Sequence, residues 1–284
     1  MIITHTIAEL RTIIANAKKE GKSIGLVPTM GALHEGHASL MKRSVTDGNF
    51  TVVSIFVNPI QFGPNEDYDK YPRTLDADAK LCEAQAVDVI FAPSVEELLG
   101  SNRYTFVDVN ELSKHLCGAK RKGHFQGVCT IVSKFLNITT PDKAYFGKKD
   151  IQQLYIIKRM VTDLNFPTEI IGCPIVRDDS GLALSSRNKY LTEEQRKSAL
   201  SLNISIKKAI EAINQRENSS QKIINVILSR ISKVNGARID YVEIVNEELS
   251  PVDTVRNGCI IALAIYIGDT RLIDNHVIGE PLCF

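Results

Sequence analysis

Short apolar runs alternate with helical patterns along the first 175 residues, and this alternation constrains the fold more than any other feature of the chain. Strands that alternate with helices form a parallel sheet with helices on both faces. The predicted strands are 24–27, 51–57, 87–91, 104–109, 144–146 and 168–173. We therefore predict an α/β fold built on a parallel sheet. Apolar residues at helical spacing from Ile7 to Ala17 also predict an amphipathic helix near the amino terminus.

The pattern changes after Pro174, where long helical stretches replace the regular alternation. The predicted elements of this second part are a helix from Thr192, a helix over about 221–234, and strands over 238–245 and 259–267. We therefore predict two domains. Residues 1–175 would form a Rossmann-like domain with helices on both faces of its sheet, and residues 176–284 would form a smaller C-terminal α+β domain that covers the site.

Charge and hydropathy exclude several classes of partner. The chain has 34 basic and 33 acidic side chains, and its net charge of +1 lacks the positive excess typical of nucleic-acid binding. No window of about 18 residues is apolar enough to span a bilayer, and the amino terminus lacks a signal-peptide pattern. The six cysteines are scattered, as is typical of reduced core residues. We therefore expect a cytoplasmic protein that binds neither nucleic acid nor membrane.

Residues 28–37, PTMGALHEGH, join the end of a predicted strand to a turn that carries two histidines. In parallel sheets, ligands bind beyond the carboxyl ends of the strands. A helix beginning near Gly36 would place His34 and His37 at its amino end, where free N–H groups and the helix dipole favour an anion. The turn therefore indicates phosphate binding. A metal site and simple helix capping remain alternatives, whereas a P-loop is excluded because no glycine-lysine-serine or glycine-lysine-threonine ending is present.

Four further segments place polar side chains where predicted elements begin or end. They are residues 54–74, 124–128, 144–154 and 175–188. Together with the histidine turn, these segments closely resemble the pantothenate synthetase (pantoate–β-alanine ligase) family of the HIGH-motif nucleotidyltransferase superfamily. HEGH at 34–37 is similar to the HIGH signature, and LSSR at 184–187 is similar to its KMSKS counterpart. The resemblance extends over nearly the whole chain.

The resemblance implies an ATP-dependent ligation of (R)-pantoate to β-alanine through an enzyme-bound pantoyl adenylate, with release of AMP and pyrophosphate. Mg²⁺ would accompany ATP as a substrate, no organic cofactor would be tightly bound, and the chain would form a homodimer. His34, His37 and Lys149 would be catalytic, with His37 as proton donor. The residues implied to bind ATP are Met30, Gly31, Ala32, Leu33, His34, Glu35, Gly36, His37, Gly147, Lys148, Lys149, Asp150, Val176, Leu184, Ser185, Ser186 and Arg187.

The resemblance also implies which side chains bind the other two substrates. Gln61 and Gln153 would hold pantoate through neutral amides, Gln61 would also contact β-alanine, and Asn58 is a weaker candidate for the amine. From the residues alone, Gln153 also fits a capping box with Asp150, which lies three positions earlier.

Two departures from the family pattern affect the expected site. Gln126 stands where the family commonly has arginine, and Ala77 reduces the acidic pair that the family associates with Mg²⁺. Asp78 is therefore expected only as an outer contact of the metal, which would bind mainly through the ATP phosphates.

Two other functions remain to be distinguished. An aminoacyl-tRNA synthetase core would share the HIGH and KMSKS signatures. In that case the exchange of labelled pyrophosphate into ATP would depend on an amino acid rather than on pantoate. A nucleotide-binding regulatory protein that has lost turnover would bind ATP and form no AMP.

Overall fold

The computed structural model describes residues 1–64 and 66–282. Among these residues, a six-stranded sheet has the strand order β1-β4-β3-β2-β5-β6, with every neighbouring pair parallel. This sheet confirms the predicted α/β fold class. Its strands are β1 (Ile2–Thr4), β2 (Ile24–Thr29), β3 (Phe50–Ile55), β4 (Val89–Phe91), β5 (Lys143–Gly147) and β6 (Glu169–Cys173).

Helices cover both faces of this sheet. Leu26 and Val27 are neighbours on β2, yet they belong to different clusters of buried side chains, because successive residues of a strand point to opposite faces. Leu26 shares its cluster with side chains of the first, sixth and seventh helices, whereas Val27 packs with those of the second and third. The helices are α1 (Ile7–Lys19), α2 (Glu35–Thr46), α3 (Leu75–Ala84), α4 (Val95–Leu99), α5 (Leu116–Lys120), α6 (His124–Thr139) and α7 (Ile151–Asp163).

The later part of the chain forms an antiparallel sheet, whose three described strands pack against helices in a separate apolar cluster. Its elements are α8 (Glu193–Ala199), α9 (Ser201–Asn214), α10 (Ser220–Ile231), β7 (Ala237–Val245), β8 (Ile260–Ile267) and β9 (Thr270–Val277). Ile260 and Ala262 of β8 face the first part of the chain and join its cluster. The division into domains at residue 175 stays a prediction.

Residues 104–109 are not a strand, which corrects one prediction. They have no regular secondary structure and no sheet pairing, and Val107 donates its N–H to the Thr130 hydroxyl on α6 instead of to a neighbouring strand. Two strands, β1 and β9, were not predicted from the sequence. β1 has only three residues, too few to show a period, and β9 carries Arg271, Asp274 and Asn275 among its apolar residues.

Within the described residues, no helix is long and apolar enough to cross a membrane. The described cysteines form no disulfide. They are Cys82, Cys117, Cys129, Cys173 and Cys259. Cys283, the sixth cysteine, lies outside the described residues.

Candidate active site

A cavity of about 250 Å³ lies at the carboxyl ends of β2, β3 and β5. This is the edge of a parallel sheet where ligands are expected. Its wall includes both histidines of the 28–37 turn, Lys149 after β5, and Arg187 from the 184–187 segment. A larger cavity of about 680 Å³ adjoins it, since the two have Lys149, Asp150 and Arg187 in common. The structure thus brings together segments that are far apart in the sequence.

The two histidines cap α2 through one ring nitrogen each. His34 Nδ1 accepts the Gly36 N–H at 3.1 Å, and His37 Nδ1 accepts the His34 N–H at 3.3 Å. Gly36 allows this arrangement, because a Cβ there would lie 2.8 Å from His34 Cε1. A nitrogen that accepts carries no proton, so each neutral ring carries its proton on Nε2. Neither Nε2 atom has a partner within residues 1–64 and 66–282.

Burial keeps both imidazoles neutral. Burial lowers the pKa of His34 to about 4, and the Lys149 charge contributes in the same direction. Burial, His34 and Lys149 together lower the pKa of His37 to about 3. At neutral pH the pair therefore offers two N–H donors rather than two positive charges. Capping and ligand binding, which the sequence left as alternatives, are compatible here because they use different atoms of the ring.

Asp78 fixes the backbone of the histidine turn. Its side chain is only 2% exposed, and its carboxylate accepts the N–H groups of Ala32 at 3.1 Å and Leu33 at 2.8 Å. The Thr74 hydroxyl donates to the same carboxylate at 3.2 Å. Ala32 has a φ of 51°, in the left-handed region that costs free energy for a residue with a Cβ. The buried carboxylate therefore stabilises a strained turn.

Two amide side chains lie together at the end of β3. The Asn58 amide donates to Gln61 Oε1 at 2.9 Å and to the Gly127 carbonyl at 3.1 Å, while its own oxygen accepts the Ile60 N–H. Asn58 is thus fully partnered inside the protein and orients Gln61. The Gln61 amide nitrogen contacts Met30 Sδ at 3.2 Å, a weak interaction that a better acceptor can replace. Gln153 on α7 lines the same cavity.

The adjacent lysines after β5 point in different directions. Lys149 lines both cavities, and its ammonium lies 3.6 Å from the Asp150 carboxylate. The Lys148 ammonium instead binds both carboxylate oxygens of Glu280, at 2.6 and 2.7 Å. Although half of the Asp150 side chain is open to the cleft, desolvation by the surrounding protein tends to raise its pKa, but the charges of Lys149 and Arg187 hold that pKa below its usual value.

The segment of residues 66–74 bridges the two sides of the site. Arg187 donates to the Asp67 carboxylate at 3.0 Å, and both Tyr71 and Ser186 line the smaller cavity. Arg121 at the end of α5 binds Glu66 through two nitrogens, at 2.6 and 2.5 Å. The segment therefore contacts cations on both walls of the cleft.

Comparison with known proteins identifies the family. A model for pantoate-β-alanine ligases matches residues 2–277. The chain belongs to the pantoate-β-alanine ligase family. A pantothenate synthetase from Clostridium botulinum (strain Kyoto / Type A2) is 54% identical over 276 residues, which cover 97% of this chain and 98% of that relative. The resemblance predicted from the sequence is thereby confirmed, and the chain is an enzyme of this family.

Solved structures of the family superpose over the whole chain. Pantothenate synthetase from Thermus thermophilus is 41% identical with a TM-score of 0.94, covering 99% of this chain and 100% of that one. Pantoate-β-alanine ligase from Francisella tularensis, whose crystal is a complex with β-γ ATP and β-alanine, is 38% identical. Its TM-score is 0.79, with 99% of each chain covered.

Most of the site residues expected of a family member line the smaller cavity, and a few do not. Those on its wall are Met30, His34, Gly36, His37, Asn58, Gln61, Gly147, Lys149, Asp150, Gln153, Val176, Leu184, Ser185, Ser186 and Arg187. Gly31, Ala32, Leu33, Glu35, Lys148 and Asp78 are not on the wall of either cavity. Lys148 forms an ion pair with Glu280, and Asp78 is buried beneath the histidine turn. The geometry therefore favours structural roles for both residues rather than direct contact with ATP.

Several residues on the wall of the smaller cavity were not predicted from the sequence. Arg121 received no role, although it follows Lys120 in a basic stretch before HFQGV. His124 is 9% exposed and lies between the Gln61 carbonyl and Arg121, at 2.8 and 2.9 Å. The apolar side of the cavity is formed by Phe56, Val128, Ile131, Val132 and Phe135. No signal separates these residues from ordinary core, because their helical spacing is that of any buried helix face.

Proposed function

We propose that this protein joins (R)-pantoate to β-alanine with ATP, through a pantoyl-adenylate intermediate and with release of AMP and pyrophosphate. One observation carries the proposal. A single cavity of about 250 Å³ is lined by two imidazole N–H donors, three cationic side chains, three amide side chains and an apolar wall. The N–H donors and cations suit the triphosphate of ATP, and the amides and the apolar wall suit a small hydroxy acid with two methyl groups.

In the first step, a carboxylate oxygen of pantoate attacks the α-phosphorus of ATP, and the bond to pyrophosphate breaks. Negative charge grows on the phosphate oxygens, where the Nε2–H groups of His34 and His37 donate. Lys149 supplies a point charge, and the fork of Arg187 suits the leaving pyrophosphate. For His37 to deliver a proton as well, the bound triphosphate has to raise its pKa from about 3 toward neutrality.

Pantoate is oriented by neutral groups. Gln61 and Gln153 hydrogen-bond its hydroxyl and carboxylate groups, so that the nucleophile is held without the strong ground-state binding of an ion pair. Val128, Ile131 and Phe135 face the methyl groups. Asn58 acts through Gln61, since its amide donates to Gln61 and to the Gly127 carbonyl.

In the second step, the β-alanine amine attacks the carbonyl carbon of the adenylate, and the bond to AMP breaks. The amine loses a proton as the amide forms. Adenylation makes the carboxyl carbon electrophilic, and holding the amine in place contributes an effective concentration that can reach about 10⁵ M. The 66–74 segment, which contacts Arg187 and Arg121, limits access of water to the intermediate.

Mg²⁺ is proposed here only as the ion that ATP brings with it. Within residues 1–64 and 66–282, no group of three or more His, Cys, Asp or Glu side chains could hold a metal ion. Mg²⁺ commonly keeps most of its water and binds through substrate phosphates, which suits this donor set. Asp150, whose side chain is 53% exposed and lines the cavity, is the best-placed carboxylate.

The segment 104–109 supports a homodimer. Tyr104 is 90% exposed and Phe106 is 49% exposed, in a segment that pairs with no strand among the described residues. A second copy that covers this segment would satisfy both its backbone and its apolar side chains. A Tyr104→Glu, Phe106→Lys double variant should run as a monomer in light scattering, whereas a dimeric variant would exclude this interface.

The decisive experiment is the exchange of labelled pyrophosphate into ATP. We expect exchange that requires pantoate and is independent of amino acids, followed by stoichiometric AMP and pantothenate when β-alanine is added. Exchange driven by an amino acid, or ATP binding without any AMP, would overturn the proposed function.

A further inference from the structure

Two adjacent buried residues of β9 contact both of the segments to which we assign the ATP phosphates. Asp274 is 3% exposed and Asn275 is 4% exposed. Asn275 reaches the turn that carries Lys149, and Asp274 reaches the hairpin that leads into the 184–187 segment. Neither contact is part of the reaction described above.

The Asn275 side chain binds the lysine turn through its backbone. Its amide nitrogen donates to the carbonyls of Lys148 at 3.0 Å and Lys149 at 2.8 Å. One NH₂ group thus uses both of its hydrogens on two successive carbonyls, which fixes the orientation of that peptide. The direction in which the Lys149 side chain leaves the turn follows from this orientation.

The Asp274 side chain binds the other segment through Arg177. The guanidinium donates to the two carboxylate oxygens at 2.7 and 2.9 Å, and both side chains are at most 4% exposed. Arg177 also donates to the Gly181 carbonyl across the turn of its hairpin. That hairpin is closed by the Leu184 N–H to the Val176 carbonyl, at 2.9 Å, and the chain then continues to Arg187.

We propose that the Asp274–Asn275 pair sets the spacing between Lys149 and Arg187 across the triphosphate, and that both residues are positioning residues for ATP. This inference rests on the proposed function, because it requires both cations to bind one nucleotide. The two side chains belong to one strand that pairs along its length with β8, whereas the segments they hold are separate in the sequence. A shift of about 1 Å between a substrate and a catalytic group can cost about 10²-fold in rate.

The test uses Asn275→Asp in the full chain. The substitution keeps the shape of the side chain but replaces the donor by an acceptor that faces two carbonyls. We expect the dissociation constant of a non-hydrolysable ATP analogue, measured by calorimetry, to rise about tenfold or more. We also expect the KM for ATP to rise while the KM for β-alanine stays within about twofold of the wild-type value.

A double variant identifies the route of the effect. If Asn275 acts through Lys149, then Asn275→Asp should weaken ATP binding little further when Lys149→Met is already present. Fully additive effects, or equal rises in the KM of all three substrates, would mean that Asn275 only supports the fold and would overturn the inference. Unchanged ATP affinity in folded Asn275→Asp would overturn it as well.

Asn49→Asp is the matched control. Asn49 is also buried, at 8% exposed, and its amide also donates to two acceptors, the Ser44 carbonyl and the Tyr145 hydroxyl. It precedes β3, at the opposite end of the sheet from the cavity. This variant should lower the melting temperature without a selective change in ATP affinity. Because analogue binding is measured without turnover, a wild-type protein that binds ATP but makes no pantothenate would contradict the proposed function alone.

Discussion

Gly127 of α6 lies directly against Gln61, at a distance that excludes any side chain. A Cβ on Gly127 would be 2.7 Å from Gln61 Cα and 2.4 Å from the Ile60 carbonyl oxygen. The Gly127 carbonyl in turn accepts the Asn58 amide. The helix that forms the apolar wall and the turn that carries the Gln61 amide therefore lie directly against each other.

Gly127→Ala should impair pantoate binding. Alanine normally stabilises a helix interior by roughly 1 kcal/mol relative to glycine, but here the collision with backbone atoms outweighs that gain. We expect a lower melting temperature and a KM for pantoate raised about 10-fold or more, as Gln61 is displaced. Gly63→Ala is the control, because its Cβ would meet only the Glu66 side chain at 3.7 Å. A wild-type KM in folded Gly127→Ala would contradict the role of this contact.

His37→Ala should bind ATP yet fail to form the adenylate. Loss of one preplaced donor costs about 10²- to 10³-fold in rate, which pantoate-dependent pyrophosphate exchange measures. His37→Gln, which places an amide N–H near the former Nε2 position, should recover part of this loss. Undiminished exchange in His37→Ala would remove His37 from the mechanism.

Asp78→Asn distinguishes a structural carboxylate from a metal contact. The variant loses charge-assisted acceptance of the Ala32 and Leu33 N–H groups, and we expect a loss of about 1–3 kcal/mol in stability. Activity should fall at every Mg²⁺ concentration, because the histidine turn is less well held. If excess Mg²⁺ restored the wild-type rate, Asp78 would be a metal contact after all.

Lys149→Met and Lys148→Met form a matched pair of neighbouring charge removals. Lys149 lines the cavity, so its loss should raise the KM for ATP and lower kcat, together by about 10²-fold or more. Lys148 forms a partly exposed ion pair with Glu280, so its loss should change stability by less than about 1 kcal/mol and leave ATP kinetics nearly unchanged. Equal kinetic effects of the two variants would contradict this assignment.

His124 should make the folded state sensitive to mild acid. Burial, with the Arg121 charge, lowers its pKa to about 4, whereas an unfolded histidine titrates near about 6.5. Between these values only the unfolded chain takes up the proton, so the free energy of unfolding falls as pH drops from about 6.5 toward 4. His124 contributes at most about 1.4 kcal/mol per pH unit to the slope of the free energy of unfolding against pH, and it contributes no slope above about pH 6.5.

Denaturant titrations at several pH values measure this slope. The slope of His124→Asn below about pH 6.5 should be smaller than that of the wild type, while His5→Asn removes an exposed imidazole for comparison. If His124→Asn and the wild type lost stability in parallel, His124 would not be the group responsible.

The sequence predicts well those elements whose pattern is local. β2, β3 and β5 consist largely of apolar residues, many of them β-branched or aromatic, and each is followed by a polar turn. α2 begins at Glu35, one residue before its predicted start at Gly36. Residues 104–109 show where this reasoning fails. Their composition favours a strand, but strand formation requires a neighbouring strand, which this chain does not provide among its described residues.

The sequence by itself indicated the family, most strands of the parallel sheet and many of the side chains that line the cavity, because each of these depends on a short contiguous stretch of residues. The tertiary structure decided what those groups do. It set Lys149 apart from Lys148, made Asp78 the support of a turn 45 residues away, and linked Asn275 to a carbonyl 126 residues away. Such roles arise from contacts between distant segments, and no local pattern encodes the distance between two parts of a folded chain.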